Sequence, residues 1–148
     1  MVTKKQKKGG KTLDEIFKYS ECDGEIIITG LRKDATETSI VIPETIDDMP
    51  VTAIADEAFK GSHIANVKIG ENIKEIGGAA FSHCKNLKNV VWNTSCDISY
   101  SCFFDCPKLS KFDLSNVKKI GGCAFSESGI KKVELSENIE EVGWGAFF

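Results

Sequence analysis

The chain has 148 residues, 41% of them hydrophobic and 28% charged, which suits one domain with a substantial core and excludes global disorder. No apolar run approaches the ~20 residues that a membrane-crossing helix needs, so no membrane span is expected. The net charge of −3 splits into +5 from Lys4, Lys5, Lys7, Lys8 and Lys11 and −8 over residues 12–148, and an acidic body argues against nucleic acid as a partner.

In chain order, residues 1–12 read as a disordered basic tail, with an electrostatic tether to an anionic surface as the alternative. Met1 is followed by no apolar segment of the signal-peptide kind. With Met1 as the native start the expectation is a cytoplasmic protein; a mature form with its signal removed reads the same. Residues 13–38 read as an N-terminal cap. Thr12-Leu13-Asp14-Glu15 has the form of a capping box, but the alternating stretches on either side of Asp23-Gly24 favour a β-hairpin over residues 17–29. Ile26 and Ile28 would then face one side and Ile27 the other. Next, Ser39-Ile40-Val41-Ile42 reads as a short strand stopped by Pro43. Asp47-Asp48-Met49-Pro50 is a turn-rich insertion in an irregular first unit.

From Ile54 onward the chain repeats itself. Ile76-Gly77-Gly78-Ala79-Ala80-Phe81 recurs in variant form, so that Phe59, Phe81, Phe103, Phe125 and Phe147 fall 22 residues apart. A constant period of this kind marks one structural unit stacked several times. Between the phenylalanines lie Ile64-x-x-Val67-x-Ile69, Leu87-x-x-Val90-x-Trp92, Leu109-x-x-Phe112-x-Leu114 and Ile130-x-x-Val133-x-Leu135. Alternation over so few residues predicts short strands with one face buried. Trp92 takes a core leucine position and is assigned to packing. The Gly-Ala-Phe segment is expected to turn the chain as a short helical or 3₁₀ turn, its Phe plugging the core. Leu87 and Leu109 follow their phenylalanines by one residue more than Ile64 and Ile130 do. The extra residue is removed again before Ile98 and Ile120, which keeps the stack in register.

The pattern L-x-x-V-x-L followed by I-x-x-I-G-x-x-A-F resembles the BspA-like leucine-rich repeat family of bacterial surface proteins and some protists, over about residues 25–148. The resemblance implies a β-rich α/β repeat solenoid, a right-handed superhelix with a short-stranded parallel sheet on its concave face. Residues 39–148 would supply about five units, the last incomplete, behind an N-terminal β-hairpin cap. It also implies a binding or adhesion role for a protein or glycan partner, usually at the cell surface or outside the cell.

Under that architecture the outward residues of successive strands form columns. The first is Ser39, Asn66, Asn89, Lys111, Lys132; the second Val41, Lys68, Val91, Asp113, Glu134; the third Pro43, Gly70, Asn93, Ser115, Ser136. Lys68, Asn89, Val91, Asn93, Lys111, Asp113, Lys132 and Glu134 are the candidate partner-binding residues. Asp113 and Glu134 would be adjacent like charges offset by the two lysines. A merely solvated, self-compensating surface is the competing reading. Tyr100, Phe104 and Trp144 form a second, aromatic candidate patch. Phe147 and Phe148 mark an uncovered end through which the chain would form homo-oligomers.

Catalysis finds no support. The Gly-Gly pairs at 77–78 and 121–122 are repeat turns rather than phosphate loops, and no Ser/His/Asp or Cys/His constellation appears. Cys84 and Cys106 share one repeat slot, Cys102 replaces the alanine before Phe103, and Cys123 precedes another such alanine. They read as free thiols filling small apolar positions, with a Cys84–Cys106 bridge as the oxidising-compartment alternative. No metal or other cofactor is expected, since no Cys-x-x-Cys occurs and only His63 and His83 are available as imidazoles.

Overall fold

In the computed structural model, residues 7–8 and 11–148 are described, with side chains from Lys11 onward. Strands β1 (Lys7–Lys8) and β2 (Lys11–Thr12) pair antiparallel. The expected disorder of the basic tail falls otherwise outside the described residues. A single helical turn, α1 (Leu13–Ile16), follows. The Glu15 carboxylate accepts the Thr12 N–H at 2.6 Å, as a capping box requires. The chain then enters β3 (Phe17–Cys22) and β4 (Glu25–Leu31), an antiparallel hairpin closed by Asp23 and Gly24, both at positive φ. Helix signal and hairpin signal are thus both satisfied, one after the other. Ile26 and Ile28 are fully buried and Ile27 is not.

Strand β5 (Ser39–Val41) opens the stack, and β6 (Thr45–Ile46) turns back into β7 (Met49–Ile54) through Asp47 and Asp48, again at positive φ. The remaining strands are β8 (Asn66–Ile69), β9 (Glu75–Ile76), β10 (Asn89–Trp92), β11 (Lys119–Ile120) and β12 (Glu141–Val142). Each turn of the solenoid has three sides. One is the parallel sheet β5-β8-β10, with Ile40, Val67 and Val90 in register. A second carries the short parallel pairs β7-β9, Ile98 with Ile120, and β11-β12. The hairpin joins this side through β4, which pairs parallel to β7 and so covers the first turn.

The third side is the Gly-x-x-Ala-Phe segment. Phe59, Phe81, Phe103 and Phe125 each donate their N–H to the carbonyl one turn on, at Ala80, Cys102, Ala124 and Ala146. Their rings stack at 5.1–5.4 Å with Phe147 closing the row, interplanar angles being 14° or less. The segment is a run of separate turns rather than a 3₁₀ helix. Glu57, Ala79, Ser101 and Cys123, then His83, Asp105 and Glu127, all sit at φ between 53° and 58°. A left-handed residue at those points stops one i→i+3 bond from continuing into the next. Backbones also approach closely here. A Cβ on Gly121 would lie 2.5 Å from the Tyr100 nitrogen, so glycine is required there. The one-residue insertions after Phe81 and Phe103 are absorbed by tight turns, Leu87 N–H to Cys84 O and Leu109 N–H to Cys106 O.

Two of the four expected strands are absent. Residues 109–114 and 130–135 are irregular, and the concave sheet ends at β10. Phe112 occupies the inward slot that Ile40, Val67 and Val90 fill, beside Trp92 in the next slot. Its ring packs 5.6 Å from Trp92, 5.2 Å from Phe103 and 5.1 Å from Phe125. Two large rings, Trp92 and Phe112, thus meet in adjacent inward slots at the point where the ladder ends. Leu135, expected inward, is 54% exposed, because its turn has a neighbour on one side only.

Candidate functional site

The first three members of the first two concave columns stand as the alternation places them. Ser39, Asn66 and Asn89 are register partners, as are Val41, Lys68 and Val91. The first column is also bonded together: Asn66 Nδ2 donates to Ser39 Oγ at 2.8 Å and Asn89 Nδ2 to Asn66 Oδ1 at 2.6 Å. Such a ladder fixes amide orientation and leaves the Asn89 carbonyl oxygen at its open end. Beside it Val41 and Val91, the latter 45% exposed, bracket Lys68. Asn93 donates its N–H to Ile69 O at 3.0 Å. This half of the face is a rigid, mixed polar and apolar strip.

The other half is arranged differently from the expected columns. No strand ladder links 111–113 to 132–134. Each charge is answered within its own turn. The Ser115 N–H donates to Asp113 Oδ1 at 2.9 Å and holds that carboxyl below its usual range. Lys132 pairs with Glu134 at 2.9 Å, both more than 80% exposed and therefore of little energetic weight. Lys111 has no ion-pair partner among the described residues.

Where the sheet ends, the concave face opens. A cleft of about 430 Å³ lies along β10 and residues 111–113, lined by Val90 and Phe112 with Lys88, Lys111 and Asp113 around it. A second, of about 400 Å³, lies between residues 112–115 and 134–136. Sequence reasoning missed both. The available signal was the pairing of Trp92 with Phe112, two large rings in adjacent inward slots.

Of the aromatic patch, Tyr100 (65% exposed) and Trp144 (82% exposed) point to solvent from one column. Glycines alternate with them at 78 and 122, and the Tyr100 ring reaches over Gly122. Phe104 is half-buried, edge-on to His83 at 5.3 Å, and belongs to a different column shared with Phe148. His83 and Lys85 both bond Asp105, at 2.7 and 2.5 Å, and hydrogen bonds from Lys85 first and His83 second hold its carboxyl below the usual range. At the last turn Phe147 is half-buried, whereas Phe148 is 82% exposed and packs on Trp144 at 6.1 Å. The N–H groups of Gly145 and Phe147 meet no acceptor among the described residues, though Cys123 and Phe125, their counterparts one turn earlier, both do.

All six cysteines are free. Cys84 donates to Phe59 O at 3.1 Å and Cys106 to Phe81 O at 3.2 Å, the same bond one repeat apart. Burial pushes both thiols up, Cys106 to about 12, which makes them inert packing groups rather than nucleophiles. Among the described residues no group of three or more His, Cys, Asp or Glu is placed to hold a metal, and no helix is long and apolar enough to cross a membrane.

The family described as the BspA type leucine-rich repeat region matches residues 33–148 as six copies. Two solved structures resemble the chain in sequence and shape. The leucine-rich repeat protein of T. pallidum is 28% identical, with a TM-score of 0.79 over 92% of this chain. A leucine-rich repeat protein from Bacteroides ovatus is 27% identical, with a TM-score of 0.78 over 89%. A leucine-rich cell surface protein of Faecalibacterium prausnitzii, 16% identical at a TM-score of 0.56, shares the fold over 97% of this chain and 51% of its own. The chain spans 65% and 37% of the T. pallidum and B. ovatus proteins respectively. No curated protein matches the sequence.

Proposed function

We propose that this chain, which belongs to the BspA-type leucine-rich repeat family, is a non-enzymatic module that recognises a protein or glycan through its concave face. The observation that carries this reading is the bonded Ser39-Asn66-Asn89 ladder beside exposed Val41, Lys68 and Val91. Side chains held on a sheet lose little conformational freedom on binding, so their contacts are spent less on ordering. Apolar patches between polar groups are also what protein and sugar surfaces have in common as partners. Asn93 and the charged group Lys111, Asp113, Lys132 and Glu134 extend the strip toward the last turn. A place in cell-surface adhesion or host interaction belongs to the same proposal.

A second reading, assembly through the last turn, is favoured by a separate observation. Trp144 and Phe148 are exposed beside the unmet N–H groups of Gly145 and Phe147, a face that a following turn or a second copy would cover. Two variants separate the readings. Wild type, Asp113→Lys/Glu134→Lys and Trp144→Ser/Phe148→Ser are tested on a panel of glycans and peptides and by light scattering. Recognition through the concave face predicts that the first variant alters ligand capture, by a loss for a basic ligand and a gain for an acidic one, and that the second leaves it unchanged. Assembly predicts that only the second variant changes, becoming monomeric. Ligand capture unaffected by the first variant would remove the charged strip from the site.

A further inference from the structure

We propose that the cleft beside β10 receives an extended polypeptide segment carrying acidic side chains, which pairs with the free edge of β10 as a fourth strand. The proposal rests on the concave reading above and names its ligand class. Its first support is backbone chemistry. Asn89 and Asn93 donate their N–H groups to Ala65 O and Ile69 O of the β8 side, at 3.2 and 3.0 Å. Residues alternate edges along a parallel ladder, so Val90 and Trp92 turn their N–H and C=O groups toward the cleft. Among the described residues none of these groups has a backbone partner, and neither does any N–H from Ser110 to Leu114 on the opposite wall. Donors and acceptors alternating at strand spacing are matched by an extended peptide backbone; sugar hydroxyls do not repeat that order.

The second support is shape and charge. The rings of Trp92 and Phe112 stay in contact at 5.6 Å, so the cleft is closed at its base and open on the concave side. Half-buried Val90 and Phe112 offer an apolar floor for alternate side chains of a strand. Lys88 and Lys111 stand at its rim, exposed and without ion-pair partners among the described residues, against the single carboxylate of Asp113, so the rim carries a net positive charge. The rim therefore favours carboxylates. The second cleft has Asp113 and Glu134 on its two walls instead, so charge directs an acidic segment to the first.

The test uses the full chain and a fluorescein-labelled heptapeptide, Thr-Val-Glu-Val-Glu-Val-Thr, with a twin N-methylated at alternate amides. Anisotropy titrations should give saturable binding of the parent, and the twin should bind at least about tenfold more weakly for the loss of two backbone bonds. Lys88→Glu/Lys111→Glu, a change of two exposed side chains, should weaken the parent by a similar factor and favour a peptide with Lys in place of Glu. Amide exchange at Val90 and Trp92 should slow when the parent is bound. Equal binding by the twin, indifference to the lysine variant, or no binding of the parent overturns the proposal. If the parent fails while another ligand still depends on Asp113 and Glu134, only the strand-pairing proposal falls. If no ligand depends on the concave face, the broader reading falls with it.

Discussion

At the residue scale, most side chains act as the sequence suggests, and the exceptions are conformational. The buried cysteines are free thiols, Cys84, Cys96 and Cys106 bonded to carbonyls one turn back, and Trp92 is packing. The left-handed positions at Glu57, Ala79, Ser101 and Cys123 were not legible, because none is glycine and only the ladder between turns imposes that conformation. The Asp105 cluster was equally hidden, since His83 and Lys85 meet it only across a repeat. Asp105 is depressed in the folded state, so its contribution is full above the ordinary carboxylate range and is lost as pH falls through the folded value. An Asp105→Asn variant should accordingly be less stable than wild type near neutrality, with the gap closing in acid. Urea unfolding at a series of acidic pH values checks this, and a gap independent of pH would assign no role to the ionised carboxylate.

At the scale of elements, the phenylalanine column is what makes each turn cohere with the next. Phe81 is completely buried between Phe59 and Phe103, whereas Phe147 has a ring on one side only. Phe81→Ala should cost about 3–5 kcal/mol, and Phe147→Ala about 1–2 kcal/mol because less area returns to water. Denaturant unfolding measures both; equal losses would mean that the column does not transmit packing along the stack. The concave strands behave differently from the column. The ladder forms across Ile40, Val67 and Val90, stops where Phe112 fills the same slot, and does not resume at Val133.

At the scale of the whole molecule, the hairpin and the repeats form one continuous stack. Leu13, Ile16, Phe17, Ile26 and Ile28 belong to the same core as the repeat residues. β4 covers the edge of β7, and a Cβ on Gly30 would lie 2.8 Å from Ala58 O, so the cap is fitted to the first turn. Removing residues 1–31 should expose that edge together with Val51 and Ile54, and yield aggregates in light scattering. A monomeric, cooperatively unfolding product would show that the repeats need no cap.

The sequence by itself determined the period, the phenylalanine core, the hairpin with its Asp-Gly turn, the first three members of two columns and the family. All of these follow from local alternation or from a spacing repeated often enough to be read without contacts. Only the tertiary structure decided that two strands give way to clefts and that Asp113 and Glu134 are answered within their own turns. Those outcomes depend on whether large rings in neighbouring turns can share the space that strand spacing allows. That volume is set by packing between turns, which no single repeat encodes.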